Sequence, residues 1–415
     1  MSDRRFDLVV YGASSFVGEI LCRYLAERIG FDGKVKWAIA GRSAAKLGAL
    51  RSSLGERAET LEIIIADAGD RAALKAMCES TRGVVTTVGP YALYGEPLVE
   101  CCVDAGTDYC DITGEVQWIR RMIDAYEAKA AQTGARIVHC CGFDSIPSDL
   151  GVHFLQRESV EDGKVVCNQI RMRVKGARGG FSGGTVASLV NVVKEALTDK
   201  TLRRGLKDPF FLCPSKPDGA PRQPDTTSPR FDETTRGWIA PFVMAGINTK
   251  IVHRSNALGN FPWGPGFKYD EAMSTGSGTR GRATAYSISF VMGAFMLAIS
   301  IPAIRGLLER FVLPKPGEGP SPKDQEKGWF DIRFHGTRPD GSRISVKVTG
   351  DRDPGYGSTA KMLGEAALCM VEDVSRDEIG GGFWTPSTAM GDKLIKRLTS
   401  HAGLTFKQTK VPGNR

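Results

Sequence analysis

Residues 7–18 constrain the fold of this chain more than any other stretch. Leu8, Val9, Val10 and Tyr11 form an apolar run that leads directly into Gly12-Ala13-Ser14-Ser15-Phe16-Val17-Gly18. This is the pattern of a buried strand, a tight turn and the start of a helix. Such a turn brings bare backbone up to a diphosphate: glycine stands where a Cβ would collide, and the unpaired N–H groups of the following helix point at the anion. Gly12, Ala13, Ser14, Ser15, Phe16 and Val17 are therefore the candidate phosphate cradle of a dinucleotide site. Ser15 takes the place of the middle glycine in G-x-x-G-x-x-G; it is small, and its hydroxyl has a proton to offer a phosphate oxygen. A glycine-rich turn has little specificity alone, so the sequence that follows it carries the argument.

Residues 18–29 place Ile20, Leu21, Tyr24 and Leu25 at helical spacing, and residues 34–41 read as a second strand, completing a βαβ unit. At the end of the second strand, where an acid would accept from both ribose hydroxyls of NAD, the chain has Gly41-Arg42-Ser43, with Lys46 a turn later. A guanidinium there pairs with the 2′-phosphate of NADP, so NADP(H) is expected ahead of NAD, the alternative being a solvated loop arginine. Residues 61–66 form a third strand ending at Asp67, placed to accept from the adenine amino group or to cap the next helix. Residues 83–88 form a fourth, running through Val88 into Gly89-Pro90-Tyr91 at the sheet edge expected to lie along the nicotinamide. Helices are predicted over 71–79, 96–105 and 117–132, with strands over 107–111 and 136–141. This alternation predicts a Rossmann-type, doubly wound parallel sheet over residues 1–150, an α/β fold.

Beyond residue 150 the pattern changes. Residues 167–175 alternate as a strand and run into a second glycine-rich turn over 179–185, which suits a substrate-facing loop better than a phosphate loop. A helix is predicted over 186–197. Residues 199–235, rich in Pro, Lys and Arg, read as a surface excursion or flap. Strands over 329–334 and 343–348 flank Pro339-Asp340-Gly341, a hairpin signal. The expectation is a second α+β domain with an antiparallel sheet over 151–380, serving substrate binding and dimerisation, and a final helix over 381–415 that returns to the first domain. Residues 283–304 contain no charge over a length that can cross a bilayer. A buried helix or greasy substrate tunnel is preferred, followed by an interfacial helix flanked by Arg280, Arg282, Arg305, Arg310 and Lys315. A single crossing is disfavoured, because it would separate the tail from the domain it rejoins.

Composition narrows the function classes. At 415 residues with a net charge of +8, the chain is long enough for two or three domains and too evenly charged to suggest nucleic acid. Ten cysteines without C-x-x-C or His spacing argue against a metal site or disulfide framework and for a reducing, cytoplasmic setting. The N-terminus runs into the first strand without room for a signal peptide. Side chains at the strand ends with a proton to give are Tyr91, Tyr109, Asp144 and Ser145. Tyr91 is the first candidate donor, being a phenol just past the Gly-Pro; Asp144 would orient the donor, bind the nicotinamide ribose or cap the next helix. His139, inside a predicted strand, reads as a core histidine.

The turn at 11–18, Ala40-Gly41-Arg42-Ser43, Val88-Gly89-Pro90-Tyr91, Tyr109-Cys110-Asp111-Ile112-Thr113-Gly114-Glu115, Cys141-Gly142-Phe143-Asp144-Ser145-Ile146-Pro147-Ser148-Asp149, and segments 353–362 and 382–391 together resemble the saccharopine dehydrogenase-like oxidoreductases. Within them the chain is most similar to the trans-acting enoyl reductases of actinobacterial long-chain lipid synthesis. The resemblance implies NADPH-dependent reduction of a carbon–carbon double bond on a hydrophobic or carrier-bound acyl or polyketide chain. A homodimer is expected from the makeup of the second domain, and the apolar segment 283–304 adds peripheral contact with the inner face of the plasma membrane as one reading. Two alternatives stand beside it. One is a saccharopine dehydrogenase-like enzyme acting on an amino-acid imine, with Arg171, Arg173, Lys175 and Arg178 available for carboxylates; the other is a non-catalytic, lipid-associated nucleotide-binding protein.

Overall fold

The computed structural model describes residues 4–162, 165–179, 183–313 and 319–412. The central strand β1 (Phe6–Tyr11) is buried along nearly its whole length, as a parallel strand covered on both faces must be. Helix α1 (Phe16–Ile29) turns Leu21, Cys22 and Leu25 onto the sheet. Then follow β2 (Trp37–Gly41), α2 (Ala44–Ser53), β3 (Glu62–Ile65), α3 (Arg71–Ser80) and β4 (Thr81–Thr86). The short α4 (Tyr91–Tyr94), α5 (Glu96–Ala105), β5 (Asp108–Cys110), α6 (Val116–Thr133), β6 (Arg136–Val138) and α7 (Ile146–Glu161) complete this run. All these strands pair in parallel, in the order β3-β2-β1-β4-β5-β6. The order reverses between β1 and β4, which opens a crevice at their carboxyl ends.

The second half begins with β7 (Gln169–Arg178), α8 (Gly183–Thr198), α9 (Lys200–Lys207), β8 (Arg230–Asp232), β9 (Gly237–Ala240) and α10 (Ala245–Leu258). It continues through β10 (Lys268–Gly276), α11 (Gly278–Ser300), α12 (Pro302–Phe311), α13 (Pro322–Glu326), β11 (Trp329–Thr337) and β12 (Arg343–Gly350). The chain ends in α14 (Gly357–Glu372), β13 (Gly382–Trp384), α15 (Pro386–Ala389), α16 (Gly391–His401) and β14 (Thr405–Thr409). The second sheet runs β14-β12-β11-β7-β10-β9-β8 and is antiparallel except where β7 and β10 pair in parallel, so it is mixed rather than wholly antiparallel. One large apolar core runs from α1 through α7 and α14 into this sheet.

The tail rejoins the first sheet earlier than residue 381. Helix α14 is buried on almost every side and packs on α1, β4 and β5, while β13 adds a seventh parallel strand beside β6. A helix buried nearly all round needs cover on all sides, and α1, α16 and strands β1, β4 and β5 supply it. Glu365, fully buried on α14, accepts from Tyr24 Oη (2.7 Å), Arg28 Nε (2.9 Å) and Arg397 Nη1 (3.2 Å), tying α1, α14 and α16 together. The last strand, β14, departs to the second sheet.

Two further expectations change. The 199–235 excursion is pinned at its centre, where Phe210, Leu212 and Cys213 are buried and Arg254 donates to the Leu212 carbonyl (2.6 Å). The apolar segment is neither buried nor one continuous rod. Helix α11 stops at Ser300, the chain bends at Pro302 into α12, and only Gly281, Ala285 and Ile299 of α11 are buried. Its inner side packs on α8, where Phe295 and Met296 meet Val190 and Val193. Of the second glycine turn, residues 180–182 lie outside the described residues, as does Lys315.

Candidate active site

The glycine turn after β1 closes only because two positions lack a side chain. Gly12 has φ +82°, and a Cβ there would lie 2.6 Å from Val88 Cγ2; a Cβ on Gly18 would lie 2.2 Å from the Gly12 carbonyl oxygen. Ser15 is the N-cap of α1: its Oγ accepts from Gly18 N–H (3.0 Å) and shares a hydrogen bond with Thr87 Oγ1 (2.8 Å), which also bonds the Gly12 carbonyl (3.0 Å). The hydroxyl therefore fixes the helix start, a task a glycine cannot perform. Thr87 carries no motif that singles it out in the sequence, yet it ties the turn to the end of β4. Ala13 is buried beneath the turn, Ser14 and Val17 are half-buried, and Phe16 packs edge-on against Tyr356 with ring centroids 5.2 Å apart.

At the end of β2, Gly41 is buried and Arg42 is exposed, with no hydrogen bond or ion pair among the described residues. Ser43 caps α2 by accepting from Lys46 N–H (3.4 Å). After β3, the exposed carboxylate of Asp67 accepts from Gly69 N–H (2.9 Å), while Asp70, not Asp67, caps α3. Arg42 is thus an unspent cation just past the carboxyl end of β2, among the described residues. Val88, Gly89 and Pro90 leave β4 at its open end, with Gly89 exposed.

The four proton-donor candidates have different settings. Tyr91 is buried against Trp118, and its hydroxyl donates to the Thr86 carbonyl (3.1 Å) and accepts from Ile112 N–H (3.3 Å), which uses its donor on the backbone. Tyr109 is wholly buried and donates to Asp111 Oδ2 (2.9 Å). Asp111 also meets His139 Nδ1 (2.7 Å) and accepts from Cys140 N–H (3.0 Å), so His139 is a core residue paired at one nitrogen. Ser145 is buried and donates to Asn248 Oδ1 (3.0 Å); Asn248 in turn donates to Glu271 (2.9 Å), which also accepts from Tyr269 Oη (2.7 Å). Burial of the Glu271 carboxyl raises its pKa to about 7.

Asp144 differs from the other three. It is half-buried after β6, among the described residues no cation pairs with it, and its carboxyl approaches the bare backbone of Gly114 and Gly142. Burial, with the Asp111 charge adding to it, pushes its pKa up to about 7. A carboxyl whose pKa is raised to about 7 at the open end of β5 and β6 can hold or give up a proton near neutral pH. Glu115, which the sequence marks only as part of a motif, accepts from Tyr91 N–H (2.7 Å), Ala92 N–H (3.1 Å) and Ser188 Oγ (2.9 Å). It thereby joins the start of α4 to α8 across the mouth of the crevice.

All ten cysteines are buried and unpaired, and among the described residues no group of three His, Cys, Asp or Glu side chains is arranged to hold a metal. Crevice, glycine turn and free arginine together define a Rossmann-type oxidoreductase that takes a dinucleotide. The profile described as the saccharopine dehydrogenase NADP binding domain matches residues 8–138. A Mycobacterium tuberculosis protein named as a trans-acting enoyl reductase is 44% identical, over 98% of both chains. A Mycobacterium ulcerans trans-acting enoyl reductase is 39% identical, over 99% of both. The yeast saccharopine dehydrogenase (L-Glu forming) from Saccharomyces cerevisiae shares the fold with a TM-score of 0.52 at 13% identity, covering 98% of this chain and all of that one. The chain belongs to the trans-acting enoyl reductases, and its residues 8–138 carry an NADP binding domain of the saccharopine dehydrogenase type.

Proposed function

We propose that this protein reduces a carbon–carbon double bond of a long acyl chain presented on a carrier, with Asp144 as the proton donor. The observation that carries the reading is the Asp144 carboxyl, without a cation beside it among the described residues and raised by burial to a pKa of about 7 at the open end of the sheet. The turn from Gly12 to Val17 would hold the diphosphate, Arg42 and Ser43 the 2′-phosphate, Asp67 the adenine, and Val88, Gly89 and Pro90 the nicotinamide side. NADPH, when bound, would supply the hydride to one carbon of the double bond. Asp144 would then give its O–H proton to the neighbouring carbon, which takes the electron pair of the broken π bond, and be left as the carboxylate. Tyr91 and Tyr109 support the floor of the site, and Ser145 anchors it to the second domain through Asn248.

The imine reading requires free cations for substrate carboxylates. Arg173 is buried between Asp232 and Asp270 at 2.8 Å from each, and Arg171 leans on the same two acids. That engagement removes two of the four cations offered for a substrate carboxylate, leaving the exposed Lys175 and Arg178, and so supports an uncharged acceptor only in part. A homodimer and a role in lipid or glycolipid synthesis in the cytoplasm, close to the membrane, belong to the same proposal. Mixing the protein with NADPH and long-chain enoyl thioesters, free and carrier-bound, tests it by the fall in absorbance of the reduced cofactor. Oxidation with enoyl substrates that drops at least about 100-fold in Asp144→Asn is expected; turnover of an imine with no enoyl activity would refute it.

A further inference from the structure

The outer side of the α11–α12 bend has no cover. On α11, Phe290 (76% exposed), Val291 and Leu297 project on one side, opposite the Phe295, Met296 and Ile299 that pack on α8. Past the bend, Ile304, Leu307 (60%) and Phe311 (70%) continue the apolar surface along α12 at helical spacing. Patches this large on one face mark a surface that docks on something.

The charges around the face point to its occupant. Arg280 and Arg282 stand at the start of α11, Arg310 at the end of α12, and no acid pairs with any of them among the described residues. Next to α8, helix α9 exposes Lys200, Arg203, Arg204 and Lys207, likewise without ion pairs among the described residues. The acid on α12, Glu309, is already engaged by Lys194 (3.4 Å). A second copy of this face would bring cations against cations, whereas an anionic surface neutralises them. One side of α11 is committed to the protein, to β9 and β10 and, through Phe295, Met296 and Ile299, to α8, so it lies along a surface rather than through one.

We infer that the α11–α12 face, rimmed by α9, seats the protein on an anionic lipid surface. The arrangement gives that seat a purpose under the proposed reduction, on which this last step rests: α8 lies between the lipid-facing helices and the crevice, and its Ser188 bonds Glu115 at the mouth. An acyl chain leaving the lipid would meet the crevice along α8.

Flotation of the full-length protein with phosphatidylcholine vesicles, with and without phosphatidylglycerol, tests the inference. The protein is expected to float with the anionic vesicles, to be released by high salt, and to stay behind with phosphatidylcholine alone. Phe290→Ser combined with Leu307→Ser should lower the bound fraction about tenfold or more, as should Arg203→Glu with Arg204→Glu on the exposed α9. Both variants should keep NADPH binding and turnover of a soluble short-chain enoyl thioester, so that loss of docking is separable from loss of the reductase reaction. Absence of flotation with either vesicle, flotation unaltered in both variants, or a dimer in sedimentation that the apolar variant splits would each overturn it, the last by assigning the face to a second copy.

Discussion

Replacing Arg42 by alanine isolates the grip on the 2′-phosphate. The guanidinium is exposed, makes no hydrogen bond or ion pair among the described residues and stands beyond Gly41 at the end of β2, so its removal disturbs no contact of the fold. Two unit charges about 4 Å apart gain between about 1 kcal/mol in bulk water and about 4 kcal/mol near a protein surface. Hydrogen bonds to charged groups contribute about 1.5–3 kcal/mol. A loss of about 2 kcal/mol for NADPH follows, or about 30-fold in Kd. NADH carries no phosphate there, and its Kd should move by less than about twofold, because only the removed interaction sets the difference. Titrating the fluorescence of each reduced cofactor with wild type and Arg42→Ala measures both numbers. Raising ionic strength should shrink the NADPH effect, since the screening length falls from about 8 Å at physiological salt to about 3 Å at 1 M. Equal weakening of NADPH and NADH, or no weakening of either, would refute the assignment of Arg42.

Tyr91→Phe and Asp144→Asn separate the donor candidates. Tyr91→Phe should keep kcat and cost about 1–2 kcal/mol of stability through the freed Thr86 carbonyl and Ile112 N–H. Asp144→Asn should lower kcat/KM about 100-fold or more and abolish a wild-type descent in rate above about pH 7, since the acid form is the active one. For Glu271 the folded pKa, about 7, lies above its ordinary value of 4.5, so stability is fully present below 4.5 and is lost as pH rises to 7. Urea denaturation should therefore show Glu271→Gln gaining on the wild type by up to roughly 3 kcal/mol between pH 4.5 and 7.5. Glu365→Ala leaves Arg28, Arg397 and Tyr24 without their shared acceptor and should lower stability by about 3 kcal/mol in the same assay.

The first domain is legible in the sequence because its signals are local. Apolar runs of four to six residues ending in Gly12, Gly41 and Gly89 mark the strands and their open ends, and the helix from Glu96 to Ala105 begins and ends where its Pro97 and Gly106 indicate. What escapes is set by partners distant in the chain. The Ser15 hydroxyl reads as a phosphate ligand until Thr87, 72 residues away, is seen beside it. Tyr91 reads as a free phenol until its position over the end of β4 supplies two backbone partners. Helix α11 has the composition of a core helix, and its composition does not reveal that one side alone is covered. The parallel pairing of β7 and β10 likewise depends on the long connection between them, which leaves no local mark.

The last strand of the nucleotide-binding sheet and the helix that fills its back come from beyond residue 356. A ribosome must therefore make almost the entire polypeptide before the dinucleotide half is finished, while the edge of β6 and the apolar backs of β1, β4 and β5 wait uncovered. Residues 1–150 expressed alone would keep that open edge and bare back, and would be expected to precipitate or recruit chaperones rather than behave as an autonomous cofactor-binding fragment.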